Sequence, residues 1–164
     1  MLLKEQGWVL VIDQASNVAG VSLLLNGELR GTTELRSRAS TDTFSRRLQT
    51  QLPQLTAFLD AHLPHDASVT KIVFEGVRAR LVLITVGAFL CCPRINAKMC
   101  QRASFIESTS WKKWAQMRGA VGPLKDIKGV KALRESGWDM VKYPVTSDDI
   151  ADSLLIYQTW RDRP

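Results

Sequence analysis

The chain opens on two apolar runs separated by one short polar interruption. Residues 8–13, Trp-Val-Leu-Val-Ile-Asp, stay apolar until they close on a carboxylate, and residues 19–26 carry the second run. Runs of this length, rich in Val, Leu and Ile, predict strands covered on both faces of a sheet. Between them, Ala15-Ser16-Asn17 supplies turn chemistry. Gly20, inside the second run, marks a bulge or a close backbone approach. Asn26-Gly27 is the strongest short hairpin signal in the chain and leads into a third strand over residues 28–35. Together the three strands read as an antiparallel meander.

Helical spacing takes over from Asp42, with Phe44, Leu48, Leu52, Leu55, Phe58 and Leu59 on one side, Pro53 as a point of kinking and Pro64 as a stop. Residues 69–75 return to the strand pattern and again end on an acid, Glu75. A strand that follows a helical crossover is expected to lie parallel to the first, which brings Asp13 and Glu75 to the same sheet edge. Residues 78–90 read as a helix with Leu81, Ile84, Thr85, Ala88 and Phe89 on one side, either a core helix or a dimer contact, interrupted at Pro93. Residues 103–107 read as a further short strand. The last helix begins at Ser147, a natural N-cap, and Asp148 and Asp149 suit its positive end. Capping does not explain Asp152. Asp149 and Asp152 are spaced i, i+3 on a face that continues into Ile156, so two like charges point inward. With no repeat or linker, the series predicts one domain over residues 1–164: an α/β chain with a mixed five-stranded sheet flanked by helices.

Charge and composition sharpen this picture. A net charge of +6 over 164 residues leans towards a polyanionic partner such as nucleic acid. No apolar stretch reaches the roughly 18 residues of a membrane helix, and the acid-bearing N-terminus does not read as a signal peptide, so a cytoplasmic protein is expected. Cys91, Cys92 and Cys100 lack the paired spacing of a closed zinc site and read as reduced, buried small residues. The most basic part of the chain is Trp111-Lys112-Lys113-Trp114 followed by Arg118, Lys125, Lys128, Lys131 and Arg134. Two readings of it stand level: tryptophans that stack on bases beside phosphate-binding lysines, or an amphipathic helix with its tryptophans in the core. Gly119, Gly122, Pro123 and Gly129 suggest a loose basic loop able to clamp DNA.

Four carboxylates then stand out: Asp13, Glu75, Asp149 and Asp152. Oxygen-only ligands suit Mg²⁺ or Mn²⁺. Two such ions about 4 Å apart activate a water and stabilise the leaving oxygen in phosphodiester hydrolysis. No histidine or cysteine nucleophile competes for the role.

Ile12-Asp13-Gln14-Ala15-Ser16 with Gly20, Val73-Phe74-Glu75-Gly76-Val77 and Asp149-Ile150-Ala151-Asp152-Ser153-Leu154 together resemble the RuvC family of Holliday junction resolvases, within the ribonuclease H-like superfamily. Order and spacing agree over nearly the whole chain, and the compact length and Trp111-Lys112-Lys113 are more like bacteriophage-encoded members. Ala15 stands where a glycine is usual, Ser153 replaces the common alanine, and Asp148 competes with Asp149 as third ligand. The resemblance implies a ribonuclease H-like fold and a homodimer that nicks a four-way DNA junction symmetrically. It also implies two metal ions held by Asp13, Glu75, Asp149 and Asp152, with Lys112 or Lys113 near the scissile phosphate and no small-molecule cofactor. Arg78, Arg80, Arg118, Lys125 and Lys128 are further candidates for DNA contact, and the helix over residues 78–90 for the dimer interface. Rival expectations are a flap or branched-DNA nuclease or an RNA-processing enzyme on the same fold, a non-catalytic junction-binding module, and an actin- or sugar-kinase-like ATP-binding domain.

Overall fold

The computed structural model describes residues 4–14, 17–37, 44–76, 87, 89–90, 92–95 and 103–164. Five strands form one sheet: β1 (Trp8–Asp13), β2 (Val18–Leu25), β3 (Glu28–Arg36), β4 (Val69–Gly76) and β5 (Ala103–Glu107). Their spatial order is β3-β2-β1-β4-β5. The meander pairs antiparallel, while β4 lies parallel to β1 and β5 parallel to β4. Asn26 and Gly27 make the hairpin turn with φ of 51° and 84°, the positive values that a two-residue turn between right-twisted strands demands.

Alternation along the strands sorts side chains between two cores. Leu10 and Ile12 of β1 pack with Leu55, Phe58 and Leu59 of α1 (Phe44–His62), which runs on through Pro53. Val9 and Val11 pack instead with Leu154 and Leu155 of α4 (Asp148–Asp162), joined by α2 (Ser108–Met117) and α3 (Gly129–Glu135). With both faces covered, the near-continuous hydrophobicity of β1 and β2 is accounted for. Lys4 closes the far end of α4: its ammonium donates to the Trp160 and Arg163 carbonyls at 2.7 and 3.1 Å, where the helix dipole is negative.

Two expectations for the basic segment are decided here. Trp111 is buried in the core under α4, and Trp114 packs against the same cluster with its indole N–H donating to Asp162 at 3.0 Å. The tryptophans therefore face inward. The stretch after α2 is no loose loop: Leu124–Asp126 forms a 3₁₀ turn and residues 129–135 form α3, with Ile127, Ala132 and Leu133 buried. The glycines that suggested looseness take up left-handed backbone instead, φ +117° at Gly119 and +70° at Gly129.

Of the helix expected over residues 78–90, only Gly87, Phe89 and Leu90 are among the described residues, so the dimer-contact assignment lies outside them. Cys91 and Cys100 lie outside them too, while Cys92 is buried with its sulfur 3.4 Å from the Thr56 hydroxyl. Among the described residues no helix is long and apolar enough to cross a membrane.

Candidate active site

Strand parity decides which polar residues meet. Asp13 follows Val9 and Val11 by twos and so points to the α4 face; Glu75 follows Val73 in the same way. Ile12 pairs with Phe74, which sets the two acids side by side where β1 and β4 end. Glu75 is close enough to act electrostatically on the Asp13 carboxyl. The side-chain amide of Gln14 extends this junction. It accepts from the Glu75 N–H at 3.2 Å and donates to the Glu75 carbonyl, so β1 holds the β4 end beyond the last ladder bond.

The other two acids arrive on α4. Asp13 pairs across the sheet with Gly20, and Gly20 is where α4 comes down on the sheet. A Cβ there would lie 1.9 Å from the Asp149 carbonyl oxygen and 2.8 Å from the Ile150 nitrogen. Only glycine allows this approach. Ser147 caps the helix, its hydroxyl accepting from the Ile150 N–H at 3.2 Å. One turn on, the Ser153 hydroxyl meets that of Ser22 at 2.6 Å, so the residue that departs from the usual alanine has a partner on β2. Asp152 directs Oδ1 to the Gly129 N–H at 2.6 Å, and Asp148 directs Oδ1 to the Val130 N–H at 2.8 Å. Asp148 thus serves the start of α3, while Asp149 and Asp152 bear on Asp13.

Electrostatics record this crowding. Burial and the charges of Glu75, Asp152 and Asp149 hold the Asp13 carboxyl well above the usual carboxylate range. Burial, with Glu75, Asp149 and Asp148 nearby, pushes Asp152 up to about 7 against the opposing pull of the Gly129 N–H. Asp149 is raised by burial and by Glu34, with Arg36 acting the other way. Carboxylates gathered against their own repulsion, with oxygen the only donor atom, match the chemistry of a hard divalent cation. Of the four, Asp152 already accepts from a backbone N–H. Among the described residues, no three Asp, Glu, His or Cys side chains close on one point as a metal-holding group.

The basic candidates are distributed differently. Lys128 is exposed and immediately precedes Gly129, whose N–H holds Asp152; Lys125 is exposed on the 3₁₀ turn. Lys112 lies with its ammonium 5.5 Å from the Trp111 ring centroid, and Lys113 is exposed on α2. Neither lysine is among the charges that shift Asp13, Asp149 or Asp152. Arg118 is tied to Asp162 at 3.0 Å over the Trp114 ring. Arg78 and Arg80 lie outside the described residues. Sequence reasoning gave no role to Gln14, Glu34 or Arg36. The signal for Gln14 was available, since a glutamine directly after a strand-ending acid can pair with the neighbouring strand.

A mixed five-stranded sheet with flanking helices and acids at the ends of β1 and β4 is the ribonuclease H-like fold. Two solved structures of RuvC from Thermus thermophilus share it. The first has a TM-score of 0.57 at 16% identity, covering 93% of this chain and 91% of that one. The second, that RuvC in complex with Holliday junction substrate, has a TM-score of 0.55 at 14% identity, covering 94% and 92%. No family model matches the sequence, and no curated protein does.

Proposed function

We propose that this chain is a metal-dependent endodeoxyribonuclease that resolves four-way DNA junctions by paired, symmetric nicks, working as a homodimer. One observation carries the reading: the parallel register of β1 and β4 sets Asp13 and Glu75 side by side at one sheet edge, and Gly20, the cross-strand partner of Asp13, admits the α4 terminus that carries Asp149 and Asp152. It is supported by a fold shared with a RuvC that has been solved on a Holliday junction. A junction is two-fold symmetric, and a homodimer presents two equivalent sites to it.

Asp13, Glu75, Asp149 and Asp152 would hold Mg²⁺ or Mn²⁺, two ions per site. Bound there, such ions supply charge stabilisation at the phosphate and an acidified water. The protein's own contribution is placement. Gln14 fixes the Glu75 main chain, Gly20 admits the α4 terminus, and the Gly129 N–H orients one oxygen of Asp152, leaving that carboxylate's direction set before substrate arrives. Lys128 and Lys125, with Lys112 and Lys113 on α2, supply positive charge for phosphate contact.

The test compares wild type with Asp13→Asn on labelled four-way junctions, flaps, RNA–DNA hybrids and plain duplex in Mg²⁺. Junction cleavage by wild type should dominate. Outer partners of metal ligands cost about 10–100-fold when removed, so Asp13→Asn should lose more than about a hundredfold while junction binding persists. Full cleavage by Asp13→Asn removes the catalytic assignment, and preference for flaps or hybrids moves the substrate to those nucleic acids.

A further inference from the structure

The two edge strands of the sheet are β3 and β5, and the basic helix α2 follows β5. Positive charge on the opposite flank comes from β3. Its residue Glu34 pairs with Gly20, which pairs with Asp13, so one row across the sheet runs from Glu34 to the first acid. Glu34 accepts a hydrogen bond from the Ser147 hydroxyl and an ion pair from Arg36. Arg36 is held at both levels. Its main-chain N–H donates to the Gln54 side-chain carbonyl at 2.9 Å, and its carbonyl accepts from the Gln54 amide at 2.8 Å. Gln54 thereby pins the end of β3 to α1, and Glu34 aims the guanidinium along the α4 face.

The guanidinium nevertheless stays in solvent, with 64% of the side chain accessible. Its ion-pair partner Glu34 bonds the Ser147 cap, two residues before Asp149, so the guanidinium flanks the α4 terminus. An exposed guanidinium beside an acidic site, with its backbone doubly clasped, is pre-aimed for the bidentate recognition of phosphate. Glu34 is a weak competitor for it, because ion pairs open to water contribute little.

We propose that Arg36 is a phosphate-binding residue of this site, gripping the substrate DNA backbone from the β3 side. The proposal rests on the junction-nuclease reading above. Arg36 exchanges the Glu34 carboxylate for a backbone phosphate when DNA enters, and Glu34 keeps its bond to Ser147 and so to the α4 terminus. The ligand is one phosphodiester of a nucleic-acid strand, not a base edge.

The experiment measures affinity for a labelled four-way junction in EDTA between about 50 and 200 mM salt, the range over which phosphate contacts register. Arg36→Gln should lower the slope of log affinity against log salt by about one, and Arg36→Lys, which keeps the charge, should restore it. Lys142→Gln is the control: Lys142 is exposed, with its ammonium 5.1 Å from the Tyr143 ring centroid, and should keep the wild-type slope. An unchanged slope for Arg36→Gln overturns the proposal, as does failure of Arg36→Lys to restore it or an equal loss in Lys142→Gln. Failure of wild type to bind the junction at all overturns the junction reading instead.

Discussion

Replacing Gly20 with alanine tests how the site is assembled. The added Cβ would lie 1.9 Å from the Asp149 carbonyl oxygen and 2.3 Å from its carbon. Carbon and oxygen in such contacts sit no closer than about 3.3 Å. The α4 terminus must therefore lift by about 1.4 Å, the difference between that contact distance and the clash. No flexible side chain is available to yield, since both atoms are backbone. Overpacking of this kind costs about 1–3 kcal/mol of stability. The effect on activity should be larger, because Asp149 and Asp152 both ride on the displaced turn, and a misplacement of about 1 Å costs on the order of a hundredfold in rate. Gly31→Ala is the comparison. There the Cβ meets the ring of the exposed His62, 2.5 Å away, and a side chain at the end of a helix can swing aside. Urea unfolding and single-turnover junction cleavage, run on both variants, separate the two costs. Gly20→Ala with wild-type cleavage would refute the claim that the close approach of α4 sets the carboxylate geometry.

Two further outcomes follow from the buried polar groups. Asp152 has its folded pKa at about 7, above an unfolded value of about 4. Between those values the folded state binds more protons, so metal-free stability should fall as pH rises through that window and level off above it. Thermal melts in EDTA from pH 4 to 8 should show this fall, and Asp152→Asn should make it shallower, the raised Asp13 and Asp149 supplying the remainder, and melt higher than wild type at pH 8; a parallel profile for the variant would contradict the assignment. The Ser22–Ser153 pair gives a different signature, because the Ser153 hydroxyl also donates to the Ile150 carbonyl at 2.7 Å, so that only removal of Ser153 leaves the other hydroxyl, that of Ser22, buried without its partner. Ser153→Ala should cost about 1–3 kcal/mol and more than Ser22→Ala, and the double variant should cost less than the sum of the two singles in urea titrations; strict additivity would mean that the hydroxyls act independently.

Much of the arrangement was legible from the chain. The apolar runs ending on Asp13 and Glu75, the Asn26-Gly27 turn and the Ser147 cap are local signals, and each describes a structure that local sterics and hydrogen bonding enforce. The i, i+3 spacing of Asp149 and Asp152 likewise needs only a helix. The basic segment was harder to read. Gly119 and Gly129 spell flexibility in isolation, yet residues 124–135 order because Ile127, Ala132 and Leu133 find a core supplied by α2 and α4. The same packing turned Trp111 and Trp114 inward. Burial of apolar area outweighs the backbone freedom of two glycines, and that area exists only once α4 is in place.

What the sequence by itself determined is the five strands, the first and last helices and the acid at the end of each of two strands. Tertiary structure alone decided what surrounds those acids. The pair Leu24 with Leu29, continued without interruption, would set Thr33 opposite Gly20 and turn Glu34 to the α1 face. A register shift between Leu23 and Leu24 sets Glu34 there instead, on the face of Asp13 and Asp149. Because side chains alternate along a strand, one inserted residue exchanges the two faces, and the local sign of it in β3, Gly31 beside the shift, does not say which way the register moves.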